Sequence, residues 1–215
     1  MVELHLYHGS NRIIERPDPL KSRRYNDYGT GFYCTEHPAL AREWAVSERA
    51  DGYVNSYKLE MDGLKILNLN TEEDQILHWL ALLMNYRIVR LSTPLMKRAS
   101  EWLRERYLID LSHYDIVCGY RADDSYFSFA RSFVNNEISL RQLTLAMRLG
   151  ELGEQVVLKS PEAYGRIRFM SYEAVDHTVY YVLRKKRDLK ARSAWQEILK
   201  TEEKDDVYVR DLMKS

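Results

Sequence analysis

The chain has 215 residues, of which 45% are apolar and 30% charged, and its formal net charge at pH 7 is zero. This length and balance suit one soluble domain with a full core. A neutral chain has no overall field that would draw it onto nucleic acid or a membrane, although a local charged patch can still exist.

The N-terminal residues carry an acid where a secretory signal would carry bases, and the longest apolar stretch, around 79–84, is too short to span a bilayer. The two cysteines, Cys34 and Cys118, have no metal-ligand neighbours in the sequence, so we expect two reduced thiols. We therefore expect a cytoplasmic protein with no bound metal and no membrane partner.

Periodic patterns and turn sequences divide the first half of the chain into strands, loops and helices. In chain order they predict a strand at 2–8, a long loop at 11–31, a short aromatic strand entered at 32, a helix at about 38–50, and strands at 53–61 and 64–69. Pro38 suits the first turn of the helix. Asp62-Gly63, between the last two strands, is typical of a β-hairpin.

The second half begins with apolar residues at helical spacing and ends in a segment rich in charged residues. Its predicted elements are a helix at 76–84, a helix capped at Thr93-Pro94, a strand at 114–120, helices starting at 123 and 139, and strands at 155–160 and 166–171. The Arg-Lys-Lys-Arg sequence at 184–187 belongs to a solvated terminal helix or to a tail that docks a partner. We expect an α+β domain over 1–175 and a charged C-terminal helical extension over 176–215.

Two motifs place ligand-binding groups at strand ends. His8, Gly9 and Ser10 would put an imidazole, bare backbone and a hydroxyl on one rim, although such a sequence is also common in plain turns. Two glycines then precede Phe32 and Tyr33, which point to opposite faces of a strand. One ring would pack inside, and the other would be free to stack on a flat ligand.

A third motif opens the late strand at 153–158. Glu154 or Gln155 could reach from there into the same cleft and bond a ribose diol. Glu154 taken alone would be ordinary surface charge.

The motifs occur in a fixed order over about residues 4–172, and their combination resembles the ADP-ribosyltransferase superfamily. The pieces are Tyr-His-Gly-Ser at 7–10, Asp-Tyr-Gly-Thr-Gly-Phe-Tyr-Cys-Thr at 27–35, the helix 41–45 ending in Trp-Ala, Tyr-Asp-Ile-Val at 114–117 with Gly119, Ala-Asp-Asp at 122–124, and Gln155. The chain is similar to the diphtheria-toxin-like and poly(ADP-ribose)-polymerase-like clade, in particular to a bacterial domain of unknown function with that fold. The resemblance implies an ADP-ribosyltransferase-like split β-sheet with surrounding helices.

The resemblance also implies NAD as co-substrate and assigns roles to single residues. His8 would bond the nicotinamide ribose, the Gly9 backbone would hold the carboxamide, and Tyr33 would stack on the nicotinamide ring. Arg24 could pair with the pyrophosphate. The other expected NAD contacts are Ser10, Gly29, Gly31 and Asp123.

Position 155 departs from the clade's usual glutamate because it is an amide, with Glu154 beside it. Neighbouring strand side chains face opposite ways, so only one of the two can enter the cleft, and the motif favours Gln155. Glutamine cannot act as a base, so the proton acceptor would be the substrate, His8, or an acid such as Asp123 or Asp124. The two aspartates equally suit a helix cap.

These inferences predict an NAD-dependent mono-ADP-ribosyltransferase, a glycosyltransferase of the pentosyl type, with an unknown protein or nucleic-acid acceptor. Relatives with this architecture commonly act as toxins in bacterial toxin–antitoxin or phage-defence modules, so the resemblance implies that setting and a cognate antitoxin. Two alternatives stay open: an NAD glycohydrolase whose acceptor is water, and a silent module that binds NAD or ADP-ribose. An RNA 2′-phosphotransferase would require a second histidine in place of Tyr33.

Overall fold

The computed structural model is a mixed α+β fold with two β-sheets. It describes residues 2–70, 75–122, 124–149, 154–201 and 203–214, and only the backbone of Asp124, Ser125 and Glu154. The strands are β1 (Glu3–Ser10), β2 (Phe32–Cys34), β3 (Gly52–Glu60), β4 (Ile66–Asn68), β5 (Ile116–Tyr120), β6 (Glu154–Leu158) and β7 (Ile167–Val175). The helices are α1 (Pro38–Ala45), α2 (Gln75–Tyr86), α3 (Pro94–Tyr107), α4 (Asp124–Val134), α5 (Leu140–Met147), α6 (Pro161–Arg166), α7 (His177–Leu199) and α8 (Val209–Leu212).

The first sheet is antiparallel, with strand order β1-β3-β7. The second has the order β2-β6-β5-β4, in which β4 and β5 are parallel and the other pairs antiparallel. The sheets meet at one isolated bridge, where the Tyr7 and Thr35 backbones exchange hydrogen bonds of 2.8 and 2.9 Å. This bridge brings the later part of β1 beside the end of β2.

The predicted β-hairpin at Asp62-Gly63 is wrong. The turn forms, with Gly63 at φ +80°, but the strands on either side of it belong to different sheets. Since β1 and β7 already occupy both edges of β3, no edge remains for β4, which pairs with β5 instead. The helix predicted at about 38–50 ends at Ala45, because Val46 is extended and Ser47 bridges Ala50 in a tight turn.

Apolar side chains divide the molecule into layers. One buried cluster lies between the sheets and includes Leu6, Phe32 and Tyr57. A larger cluster joins the opposite face of the second sheet to helices α2–α5 and includes the wholly buried Trp79. The outer face of the first sheet is covered by α1 and by the start of α7. These contacts hold both sheets rigidly around their junction.

The charged C-terminal segment packs on this body. In α7, Ala191 is 2% exposed and belongs to the large cluster, as does Val209 of α8. Arg187 of α7 makes an ion pair with Glu43 of α1, and both side chains are largely buried. None of the helices in the described ranges has the length and apolar character that a transmembrane helix requires.

Candidate functional site

A cleft of about 710 Å³ opens where the two sheets meet. Its volume lies within the range of small-molecule binding pockets. Six of the residues predicted for the site line this cleft: His8, Gly9, Ser10, Gly31, Tyr33 and Gln155. They come from β1, β2 and β6 and from the turn before β2, so the fold brings together motifs that are up to 147 positions apart in sequence.

The other predicted residues lie elsewhere or outside the described part. Arg24 is exposed and does not line the cleft, whereas its neighbour Arg23 does. Gly29 is buried at φ +72° against the ring of Tyr86, so its role is to let the loop turn. Asp123 lies outside the described residues. The backbone of Glu154 pairs with Tyr120, and its side chain is likewise outside the described part.

His8 is held in one tautomer. Its Nδ1 lies 2.7 Å from the carbonyl oxygen of Tyr33, and because a carbonyl only accepts, Nδ1 carries the proton and donates it. Burial lowers the pKa of His8, so the ring is neutral at pH 7 and Nε2 keeps a lone pair. The ring also stacks on Phe32 at 4.5 Å between centroids. His8 is therefore a positioned hydrogen-bond acceptor in the cleft.

Gly9 sits under helix α1. A Cβ at this position would lie 2.1 Å from the Ala41 carbonyl oxygen and 2.6 Å from the Ala45 backbone nitrogen. The absence of a side chain thus lets α1 lie directly on the end of β1. This packing also places Trp44 of α1 in the cleft lining.

Tyr33 presents a fixed ring. Its hydroxyl donates to the Gly29 carbonyl at 2.6 Å and accepts from the Tyr28 backbone nitrogen at 3.1 Å. Burial raises the pKa of this phenol, which stays protonated. As predicted for the aromatic pair, the two rings face opposite sides of β2: Phe32 belongs to the core between the sheets and Tyr33 packs against the larger cluster, and both line the cleft. A ring anchored at its tip loses little entropy when a flat ligand stacks on it.

The floor of the cleft holds a carboxylate to which the sequence analysis gave no role. Asp27 is 5% exposed, and one of its oxygens accepts hydrogen bonds from Gln155 Nε2 and the Ala122 backbone nitrogen, each at 2.9 Å. The other oxygen lies 3.3 Å from Nη1 of Arg87. Burial raises the pKa of Asp27, and the hydrogen bonds and Arg87 oppose that rise. In the sequence, the signal that could have identified Asp27 is its position directly before the Tyr-Gly-Thr-Gly motif.

Two arginines give the interior of the cleft positive charge. Arg87 pairs with Asp27, and Arg121 lies 4.2 Å above the ring of Trp44. Both arginines line the cleft. A pair of guanidinium groups in a recess suits the bidentate binding of phosphate oxygens.

The described residues include one group with metal-ligand spacing, formed by Asp51, Asp176 and His177, and it does not line the cleft. Its oxygens already accept hydrogen bonds at the start of α7: Asp51 accepts from the His177 backbone nitrogen at 2.8 Å, and Asp176 from the Thr178 backbone nitrogen at 2.7 Å. These contacts account for the group as a helix N-terminal cap.

A family model described as a protein of unknown function (DUF3990) matches residues 4–169. No curated protein and no solved structure matches the chain significantly. The matched range includes every residue that lines the cleft and ends within β7, before α7 begins.

Proposed function

The chain belongs to this family of proteins of unknown function, DUF3990, and we propose that its cleft binds NAD and transfers ADP-ribose from it to an acceptor. The observation that carries the proposal is the meeting of His8, Tyr33 and Gln155, from three separate strands, in one cleft. The proposal includes the fold: the two sheets joined near His8 would be the split β-sheet of an ADP-ribosyltransferase.

Each of the three residues has a part in holding the nicotinamide end. The Nε2 lone pair of His8 accepts a hydrogen bond from a ribose hydroxyl, which a protonated histidine could not do. The ring of Tyr33 stacks on the nicotinamide. The amide of Gln155, oriented by Asp27, bonds the ribose 2′-hydroxyl.

The reaction exchanges one bond at the ribose. The bond between C1′ and the pyridinium nitrogen breaks, and its electron pair leaves with the neutral nicotinamide. The acceptor forms the new bond to C1′ and releases a proton to solvent or to a base in the cleft. The ribose passes through an oxocarbenium-like state, as in glycoside hydrolysis, and nearby negative charge stabilises it.

Asp27 supplies that charge from a neighbouring position. Its carboxylate lies 2.9 Å from the Gln155 amide and would take over the electrostatic part of the clade's glutamate. The inner arginines, Arg87 and Arg121, would hold the pyrophosphate. Because Gln155 itself cannot act as a base, its presence favours a second candidate, a module that binds NAD without turnover.

The test is release of nicotinamide from labelled NAD by the purified protein, with and without cell extract. We expect His8→Ala, Tyr33→Ala and Gln155→Ala each to reduce release by about 10²-fold or more, since each removes a contact to the reacting ribose or its leaving group. His113→Ala and Tyr172→Ala, at exposed positions outside the cleft, are the matched controls. Binding of NAD without release would establish the silent module, and absence of binding would refute the proposal.

The biological setting remains a separate prediction. If the protein is a toxin, its expression arrests bacterial growth, and His8→Ala relieves the arrest. Growth that is equally slow with both forms would contradict a toxic activity of the cleft.

A further inference from the structure

The mouth of the cleft carries positive charge beyond the two inner arginines. Among the described side chains that line the whole cleft, six are cationic, Arg87 and Arg121 included, and three are acidic, Asp27 included. Arg12 and Arg16 belong to one short loop after β1, with exposed side chains that make no ion pair within the described part of the chain. Arg12 is close enough to His8 for its charge to help lower the pKa of that histidine. The surplus charge thus lies beside the proposed reacting end.

A buried frame fixes the backbone of this loop. Asn55 is fully buried, its Nδ2 donates to the Arg12 carbonyl at 3.2 Å, and its Oδ1 accepts from the Ile14 backbone nitrogen at 2.8 Å. The hydroxyl of Tyr57 donates to the Ile14 carbonyl at 2.5 Å. A buried asparagine and tyrosine therefore hold in place a loop whose arginine side chains face solvent, and the arrangement keeps their positions relative to His8.

The charge of NAD does not account for Arg12 and Arg16. NAD carries one net negative charge, because its pyridinium offsets one of the two pyrophosphate charges, and the two interior guanidinium groups of Arg87 and Arg121 with the carboxylate of Asp27 leave one net positive charge to match it. An exposed aromatic side chain also lies close in sequence to one of the outer cations: Tyr25, 57% exposed, follows the cleft-lining Arg23 by two positions. Exposed arginines on a backbone that is held in place, and exposed aromatic side chains, are the groups that bind single-stranded nucleic acid, by phosphate contacts and base stacking.

We infer that the acceptor is a single-stranded nucleic acid, whose phosphates contact Arg12 and Arg16 and whose base reaches the ribose beside His8. This inference rests on the proposed function. A nucleophilic atom of the base forms the bond to C1′ as nicotinamide leaves with its electron pair, and the proton of the base passes to solvent. Planar guanidinium groups bind phosphate oxygens in a bidentate manner, and a single strand can turn one base out of its stack into the cleft.

The experiment follows label from NAD, carried on its adenylate phosphate, into three acceptors offered separately. These are mixed-sequence single-stranded RNA, mixed-sequence single-stranded DNA, and nuclease-treated cell protein. The test variant is Arg12→Gln/Arg16→Gln. The matched control, Lys185→Gln/Lys186→Gln, removes the same charge from exposed positions in the other basic segment, on α7. Thermal unfolding and NAD binding are measured for every form.

We expect label on one of the two nucleic acids, and the one that is labelled shows whether the acceptor is RNA or DNA. Labelling by Arg12→Gln/Arg16→Gln should be about tenfold slower, while its NAD binding is unchanged. For binding of the single-stranded nucleic acid, the slope of the log binding constant against log salt concentration should become shallower by about 1.4, because two phosphate contacts are lost. The α7 control should label as the wild type does. Label confined to protein, no label on nucleic acid, or wild-type labelling by the double variant would each overturn the inference. If the wild type does not bind NAD, the proposed function itself fails.

Discussion

The side-chain amide nitrogen of Gln155 donates to a carboxylate oxygen of Asp27 at 2.9 Å, and both side chains are almost completely buried. The two residues are 128 positions apart and meet on the floor of the cleft. The negative charge of the site is therefore next to position 155 and not on it. A glutamate at 155 would place a second carboxylate against the first.

We expect Gln155→Glu to destabilise the protein at pH 7 by roughly 2–3 kcal/mol, because two carboxylates at this distance cannot both ionise in a buried site. The loss should shrink toward pH 5, because the proton that one of the two carboxyls must hold in the folded state costs less as the pH approaches the ordinary pKa of the unfolded chain. Thermal or urea unfolding at both pH values measures the difference.

The matched control exchanges the two groups. Asp27→Asn/Gln155→Glu keeps one carboxylate and one amide in contact and should recover more than half of the lost stability. Equal unfolding free energies for wild type and Gln155→Glu at both pH values would show that the two side chains do not interact as described.

The neutral state of His8 predicts a pH dependence. Burial lowers its pKa below the ordinary 6.5, so the folded protein binds fewer protons than the unfolded chain as the pH falls below that value. Stability from this group and NAD binding should both be complete above pH 6.5 and decline only below it, as protonation removes the Nε2 lone pair. Calorimetric titration with NAD between about pH 5 and pH 8 measures this.

The control for this titration is His113→Gln, which removes an exposed histidine outside the cleft and should leave the pH profile unchanged. NAD affinity that is highest with a protonated His8 would contradict the assigned tautomer.

Gly9→Ala should destabilise the fold by about 1–3 kcal/mol, because its Cβ would overlap the backbone of α1 at Ala41. Moving α1 also moves Trp44, so NAD affinity should fall with stability. Gly165→Ala, in α6, is the matched control, since a Cβ there meets nothing within 4 Å. Equal unfolding midpoints for the two alanine variants would show that α1 can shift away from position 9 without loss of stability, which would contradict the prediction.

Removal of residues 176–215 should prevent folding of the remaining domain. The truncation leaves Glu43 without Arg187 and uncovers the core where Ala191 packs. Exposure of the apolar surface that α7 and α8 cover costs a large share of a typical domain's stability. Circular dichroism and thermal unfolding of the 1–175 fragment measure the effect.

A smaller change separates the ion pair from the packing. Arg187→Leu alone should lower stability more than Glu43→Leu/Arg187→Leu, in which no charge remains buried. A 1–175 fragment that unfolds cooperatively at the wild-type temperature would contradict both expectations.

Local signals predicted most elements because their causes are local. Thr93 caps α3 by accepting from the Met96 backbone nitrogen at 3.1 Å, and Ser139 begins α5 with Gln142 bonding back to it. Strand partners were not predictable in this way. The turn at Asp62-Gly63 has the sequence of a hairpin, yet the edges of β3 are taken by strands at either end of the chain.

The residues of the candidate site also fall into those with a local sequence signal and those whose role depends on the folded chain. His8, Tyr33 and Gln155 belong to strands whose local sequence patterns allowed their selection, and the fold brings them together. Asp27 is a loop residue whose burial depends on β6, and Arg87 and Arg121 belong to separate segments that contact it only in the folded chain. Nothing close to the two arginines in sequence distinguishes them from solvated charges.

The order of strands in the two sheets has a consequence for synthesis on the ribosome. The first strand, β1, lies in a sheet completed by β7, and the short β2 pairs with β6 within the described residues. No N-terminal part of the nascent chain can therefore form the cleft and bury its core while translation continues. The ligand site is assembled only after β6 and β7 have been made, so a product released before them has no formed cleft.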